Sequence, residues 1–168
     1  MKKLFIVRHA KSSWDFPELD DFDRPLNKRG KKNAPEMGKR LAKRRISPQL
    51  LIASPAKRAA ATARRIAEEI SFPKSEILME PRFYHGTNHD VIEVLKQQND
   101  EIGTIMIFGH NPGWTDLTNH LAGSNIYNIP TCGVAEIDFD IHSWEDIDAK
   151  KGKLIYFDYP KKSLVDHE

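Results

Sequence analysis

The stretch Lys3-Leu4-Phe5-Ile6-Val7-Arg8-His9-Ala10-Lys11 opens with consecutive β-favouring apolar residues and stops abruptly in charge. A run apolar on both sides of the pleat fits a strand covered on both faces, as in an α/β domain. Arg8 and His9 then stand where the strand leaves the sheet, and side chains at that edge are expected to turn toward a site. The four apolar residues before Arg8 are too few for a signal-peptide core and far too few to span a bilayer.

The same layout recurs twice. Leu50-Leu51-Ile52-Ala53 reads as a second buried strand closed by Ser54-Pro55, and Thr104-Ile105-Met106-Ile107-Phe108 as a third, followed by Gly109-His110-Asn111-Pro112. In a parallel sheet the three strand ends share one edge, where ligand sites form.

Helical patterns separate the strands. Residues 11–26, with Pro17, Pro25 and the acidic run Asp20-Asp21-Phe22-Asp23, read as a long functional loop anchored on its inner side by Trp14, Phe16 and Phe22. From Asn27, an N-cap, the residues Ala34, Met37 or Gly38, Leu41 and Ala42 recur at helical spacing, and that helix ends before Ser47-Pro48. Ala59, Ala60, Ala63, Ile66, Ala67 and Ile70 form a small-residue helix face able to sit close to a sheet, with Ser54 as N-cap and Pro55 at the first helical position. A weak strand over Glu76–Met79, a helix from Asp90 toward Gln98 and another over Thr115–Leu121 complete this part. Gly133–Ile141 and Lys153–Tyr159 then read as two strands with only a polar connection between them, an antiparallel pair finishing a mixed sheet. Neither a repeat nor a boundary divides residues 1–168, so one domain is expected.

Apolar residues make up 39% of the chain and charged residues 30%, which fits neither a membrane protein nor a disordered polyelectrolyte. Cys132 is the single cysteine, which rules out an intramolecular disulfide and makes a cytoplasmic setting the default. The net charge is only +2, but Lys28-Arg29, Lys31-Lys32, Lys39-Arg40 and Lys43-Arg44-Arg45 crowd one segment, while Glu145, Asp146, Asp148, Asp158, Asp166 and Glu168 gather near the end. The basic run reads as a solvated helix face or as a surface that steers acidic phosphoprotein partners.

Arginine presents several rigid donors suited to phosphate oxygens, so Arg8 and Arg58 are candidates to hold a phosphoryl group without a metal. A neutral imidazole can accept phosphoryl and later release it to water. Two histidines at two strand ends, His9 and His110, allow one to attack while the other stabilises the transferring oxygens; spacing alone does not say which. His85 and His89 have helical spacing, yet Gly86-Thr87-Asn88 between them argue for a loop, and no metal or other cofactor is expected. A nucleotide-binding P-loop is missing, and Cys132 lacks the following arginine of a thiol nucleophile.

Four segments together carry a family resemblance: Leu4-Phe5-Ile6-Val7-Arg8-His9-Ala10, Leu26-Asn27-Lys28-Arg29-Gly30, Ser54-Pro55-Ala56-Lys57-Arg58-Ala59-Ala60-Ala61-Thr62-Ala63 and Gly109-His110-Asn111-Pro112. The chain resembles the histidine phosphatase superfamily, in its small branch of phosphohistidine phosphatases of the SixA type. The resemblance implies a three-layer α/β/α domain with a mixed, mostly parallel central sheet. It further implies that His9 is the phosphorylated nucleophile, that Arg8 and Arg58 clamp the phosphoryl group, and that His110 completes the pocket.

Two departures matter. The family's arginine-histidine-glycine triplet appears as Arg8-His9-Ala10, so the backbone after the nucleophile must adopt a conformation that alanine tolerates. Near Glu80 there is no glycine-aspartate-x-glutamate pattern of the kind that supplies a proton to an ester leaving group. Imidazole leaves more readily than an alkoxide, so a phosphohistidine-containing protein is the expected substrate, for instance a signalling phosphotransfer domain, with inorganic phosphate as product. A broad phosphomonoester phosphatase and a noncatalytic phosphoprotein-binding module are the rival readings; neither a specific nucleic acid nor a membrane partner is expected.

Overall fold

A computed structural model of the chain describes residues 1–162. Six strands form one sheet: β1 (Lys2–Arg8), β2 (Leu50–Ala53), β3 (Leu78–Met79), β4 (Thr104–Gly109), β5 (Val134–Phe139) and β6 (Gly152–Asp158). Their spatial order is β3-β2-β4-β1-β5-β6. β1, β2, β3 and β4 run parallel, while β5 runs antiparallel to both of its neighbours, β1 and β6. The antiparallel finish follows from the short polar connection between β5 and β6, which holds only a one-turn 3-10 helix at Trp144–Asp146.

Side chains alternate across each strand, and both faces are apolar. Leu4, Ile6, Leu50, Ile52, Ile105 and Ile107 pack on α3 (Asn88–Lys96) and α4 (Gly113–Ala122) through Val91, Leu95, Leu117 and Leu121. Phe5, Val7, Leu51, Ala53, Met106 and Phe108 pack on α1 (Lys28–Lys43) and α2 (Lys57–Glu69) through Ala34, Met37, Leu41, Ala63 and Ile66. Each such Leu, Ile or Phe contributes about 1.5–3 kcal/mol by leaving water. The result is a three-layer α/β/α fold with a mixed, mostly parallel sheet.

The helices start and stop where local chemistry dictates. Asn27 caps α1 by accepting from Gly30 N at 2.8 Å, and Thr87 and Asp90 form a reciprocal capping box on α3. Gly123, left-handed at φ 61°, ends α4. The basic face of α1 divides in two. Arg40 pairs with Asp158 at 3.2 Å and Arg44 with the buried Glu136 at 2.6 Å, tying the end of the helix to β6 and β5, whereas its first turns face solvent.

Several expectations need correction. Helix α2 begins at Lys57, and Ala56 is its N-cap; Ser54 accepts from Ala56 N at 3.2 Å instead of capping, because its hydroxyl is turned to His110. The strand expected over Glu76–Met79 shrinks to two residues, since Lys74–Glu76 coil into a 3-10 turn. Trp14, Phe16 and Phe22 do not anchor the inner side of the loop: they are exposed, and Ser12, Ser13 and Arg24 are buried in their place. Asp166 and Glu168 lie outside the described residues.

Candidate active site

Parallel register sets Arg8 opposite Gly109 and Ala53 opposite Phe108, so the segments that follow β1, β2 and β4 emerge side by side. His9 N donates to Gly109 O at 3.0 Å, and His9 O accepts from Cys132 N at 3.0 Å. The residue is thereby held between the exit of β4 and the entry to β5. Its ring is buried, with Nδ1 2.7 Å from Ala10 O. A carbonyl only accepts, so Nδ1 carries the proton and the lone pair lies on Nε2. Burial, then the charges of Arg58, Arg8 and Arg24, pushes the His9 pKa down to about 4. At neutral pH the ring is therefore an uncharged nucleophile within a group of cations.

Three arginines make up that group. Arg58, buried in the first turn of α2, donates Nη1 to Asp21 O at 2.6 Å and Nη2 to Asp21 Oδ2 at 3.0 Å. Arg24 donates Nη2 to Ser12 Oγ at 2.6 Å, Nε to Ser13 O at 3.1 Å and Nη1 to Asp21 Oδ1 at 3.1 Å, beneath the ring of Trp14. Arg8 donates Nη1 to Ile129 O at 2.8 Å. Asp21 also accepts from the Tyr84 hydroxyl at 2.7 Å. Burial opposes its charge, but the hydrogen bonds from Tyr84, Arg58 and Arg24 outweigh it and hold the carboxyl well below the ordinary carboxylate range.

His110 follows β4, with its ring centroid 5.1 Å from that of His9. Its Nε2 lies 2.8 Å from Ser54 Oγ, joining the exits of β4 and β2. Burial, followed by the charges of His9 and Arg58, lowers its pKa to about 3. Thr62 ties the remaining pieces together: its Oγ1 accepts from Ala10 N at 2.9 Å and donates to Arg58 O at 2.7 Å. The described non-glycine residues with left-handed backbone are Arg45, Ser71, His85, Cys132 and Lys150, so Ala10 stands in a conformation that alanine tolerates.

All four candidates, His9, Arg8, Arg58 and His110, thus meet at one sheet edge. Sequence reasoning gave no part in the site to Thr62, Tyr84 or Arg24. A threonine inside a helix and a tyrosine in a loop carry no local signal; their partners are 52 and 63 residues away. Lys11 points elsewhere, into a groove with Arg29 and Asn33. Glu80 is held by Arg82 through Nε at 3.0 Å, which lowers its pKa. Tyr127 is fully exposed and Trp114 is buried beside Gly109.

A cleft of about 380 Å³ opens from His110, lined by His85, Thr87, Asn88, Asn111, Trp114 and Asp116. It offers amide, hydroxyl, carboxylate and imidazole groups next to His110. Among the described residues no group of three or more His, Cys, Asp or Glu is placed to hold a metal ion, and no helix is long and apolar enough to cross a membrane.

Comparison with known proteins agrees with this fold. The family model for the histidine phosphatase superfamily (branch 1) matches residues 4–106. An uncharacterised chloroplastic protein of Arabidopsis thaliana is 32% identical over 159 residues, which cover 90% of this chain and 72% of that protein. The Agrobacterium tumefaciens structure assigned as phosphohistidine phosphatase SixA is 25% identical with a TM-score of 0.79, covering 95% of this chain and 98% of that one. The protein histidine phosphatase SixA in complex with tungstate is 22% identical with a TM-score of 0.81, covering 94% and 97%, a likeness of fold.

Proposed function

The chain belongs to branch 1 of the histidine phosphatase superfamily, a family of phosphatases, and we propose that it hydrolyses phosphohistidine on a protein through a phospho-His9 intermediate. One observation carries the choice of substrate: Asp21, the carboxylate hydrogen-bonded to the site arginines, and Glu80, the acid in the segment where an ester proton donor would stand, are both bound by arginine and held ionised. Neither is a proton donor. An alkoxide leaving from a phosphate ester needs such a donor, whereas a phosphorylated imidazole protonated on its other nitrogen leaves as a neutral ring.

In the first step the Nε2 lone pair of His9 forms a bond to phosphorus as the phosphorus–nitrogen bond of the substrate breaks, its electron pair going to the leaving imidazole. Arg8, Arg24 and Arg58 surround the nonbridging oxygens, and His110 lies beside them. Phospho-His9 keeps its Nδ1 proton on Ala10 O, so it too departs as a neutral imidazole when water attacks phosphorus. Phosphate is released and the proton from water goes to solvent. The likeness to proteins described as phosphohistidine phosphatases supports this reading.

The test is phosphate release from a phosphohistidine-bearing protein domain against a matched phosphoserine protein, with His9→Ala as control and no added metal. His9-dependent release from phosphohistidine in clear preference is the expected result. Comparable release from phosphoserine would make this a broad phosphomonoester phosphatase, with the neutral Tyr84 hydroxyl as the acid to examine through Tyr84→Phe. Binding without turnover on either would leave a phosphoprotein-binding module.

A further inference from the structure

Beside the proposed active site runs a basic groove that the chemistry above does not use. Two adjoining cavities of about 210 and 590 Å³ share Arg29, Asn33, Pro160 and Lys161; Lys11 lines the first, and Lys28 and Lys32 line the second. Five cations thus face one carboxylate, Glu36, whose Oε2 accepts from Asn33 Nδ2 at 3.2 Å. Among the described residues none of the five cations has an acidic partner within ion-pair distance, in contrast to Arg40 and Arg44 farther along the same helix.

The groove is joined rigidly to the nucleophile. Lys11 is two residues past His9, and its carbonyl accepts from Asn27 N at 2.9 Å. The first turn of α1 packs against the Lys11 backbone so closely that a Cβ at Gly30 would stand 3.1 Å from Lys11 N and overlap its carbonyl. Pro130 and Thr131, on the opposite wall, lead directly into Cys132, whose N–H holds His9 O. Stability does not account for the charges: the first turn of α1 carries no acid, although a helix start favours acids and disfavours lysine and arginine. Cations left unpaired at an unfavourable place are the mark of a surface kept for a partner.

We infer that this groove docks an acidic segment of the phosphoprotein substrate, with Lys28, Arg29, Lys32 and Lys161 receiving its carboxylates while the phosphorylated side chain reaches His9. The inference rests on the phosphoprotein reading above and adds to it a substrate class: proteins whose phosphohistidine is flanked by an acidic surface. A protein is favoured over a nucleic acid because Lys11, in the groove wall, is only two residues past the nucleophile, so the docked segment and the phosphorylated side chain belong to one partner.

The experiment compares wild type with Lys28→Glu/Arg29→Glu/Lys32→Glu. The three positions are exposed, and acids at a helix start favour the fold. The probes are a net-negative phosphotransfer domain phosphorylated chemically on its histidine, and phosphoimidazole as a small substrate, each at low and high salt. The expected result is a KM for the protein raised about tenfold or more, with weaker salt dependence, at unchanged kcat and unchanged phosphoimidazole turnover. An unchanged protein KM overturns the inference while the phosphoprotein reading stands. If instead phosphoimidazole turnover falls equally, the charges act on the site and docking is rejected. Wild-type turnover of phosphoimidazole but not of the phosphoprotein removes both readings. An unchanged protein KM together with lost binding of duplex DNA would assign the groove to nucleic acid.

Discussion

Asp21 meets Arg58 twice, through its backbone oxygen at 2.6 Å from Nη1 and through Oδ2 at 3.0 Å from Nη2. Both terminal nitrogens of the guanidinium are therefore engaged by one acidic residue, which also contacts Arg24. A phosphoryl group that binds Arg58 must share or displace that carboxylate.

Removing the competitor should tighten anion binding. In Asp21→Ala the Kd of inorganic phosphate, measured by calorimetry, is expected to fall by about tenfold, the scale of one charge-assisted hydrogen bond. Weaker binding would mean that Asp21 aims Arg58 rather than competing for it.

The pH profile should carry the mark of the buried histidines. With the His9 pKa at about 4, the nucleophile stays neutral through mildly acid pH. The acid limb of kcat/KM that belongs to His9 should therefore lie near pH 4 and not near the ordinary histidine value of about 6.5. A limb near 6.5 would contradict the environment described.

The same shifts fix the sign of a stability change. His9 and His110 have folded pKa values of about 4 and about 3, so between these values and about 6.5 the unfolded chain binds more protons than the folded one. Their contribution is complete above about 6.5 and is lost as pH falls toward 4 and then 3. Tm should decline over that window, and His110→Asn should decline less steeply than wild type. Parallel slopes would show that His110 contributes nothing.

Thr62 should matter to both fold and turnover. Thr62→Val keeps the shape but leaves the buried Ala10 N–H without its acceptor, at a cost of about 1–3 kcal/mol. A lower denaturation midpoint and a lower kcat are expected, and Thr62→Ser should restore both. A loss that Ser fails to restore would point to packing of the methyl group.

Gly109 is a steric requirement. A Cβ there would stand 2.6 Å from Cε2 of the buried Trp114 ring. Gly109→Ala should destabilise by about 1–3 kcal/mol and shift the near-ultraviolet circular dichroism of Trp114, with kcat falling because His110 is the next residue. An unaltered spectrum and midpoint would show that the strand exit yields.

The layers and the sheet edge were legible in the sequence because they depend on local periodicity. Runs such as Leu4–Val7 and Ile105–Phe108 are apolar at every position, which only a doubly covered strand requires, and the spacing of Ala34, Met37 and Leu41 suits only a helix face. Once the strands run parallel, Arg8, His9 and His110 have to emerge together, so their convergence followed from order along the chain.

Tertiary structure alone decided the rest. That Nε2 of His9 is the reactive atom depends on one carbonyl, that of Ala10, and its neutrality on burial beside three arginines brought from different segments. Asp21, Tyr84 and Thr62 are ordinary polar residues by sequence; their importance lies in hydrogen bonds spanning 37 to 63 residues. The outward turn of Trp14 and Phe16 and the division of α1 into a paired end and an unpaired end belong to the same class. Periodicity records which face of a segment is buried, whereas partners distant along the chain leave no pattern in it, and those partners determine which atom is reactive and which charges are neutralised.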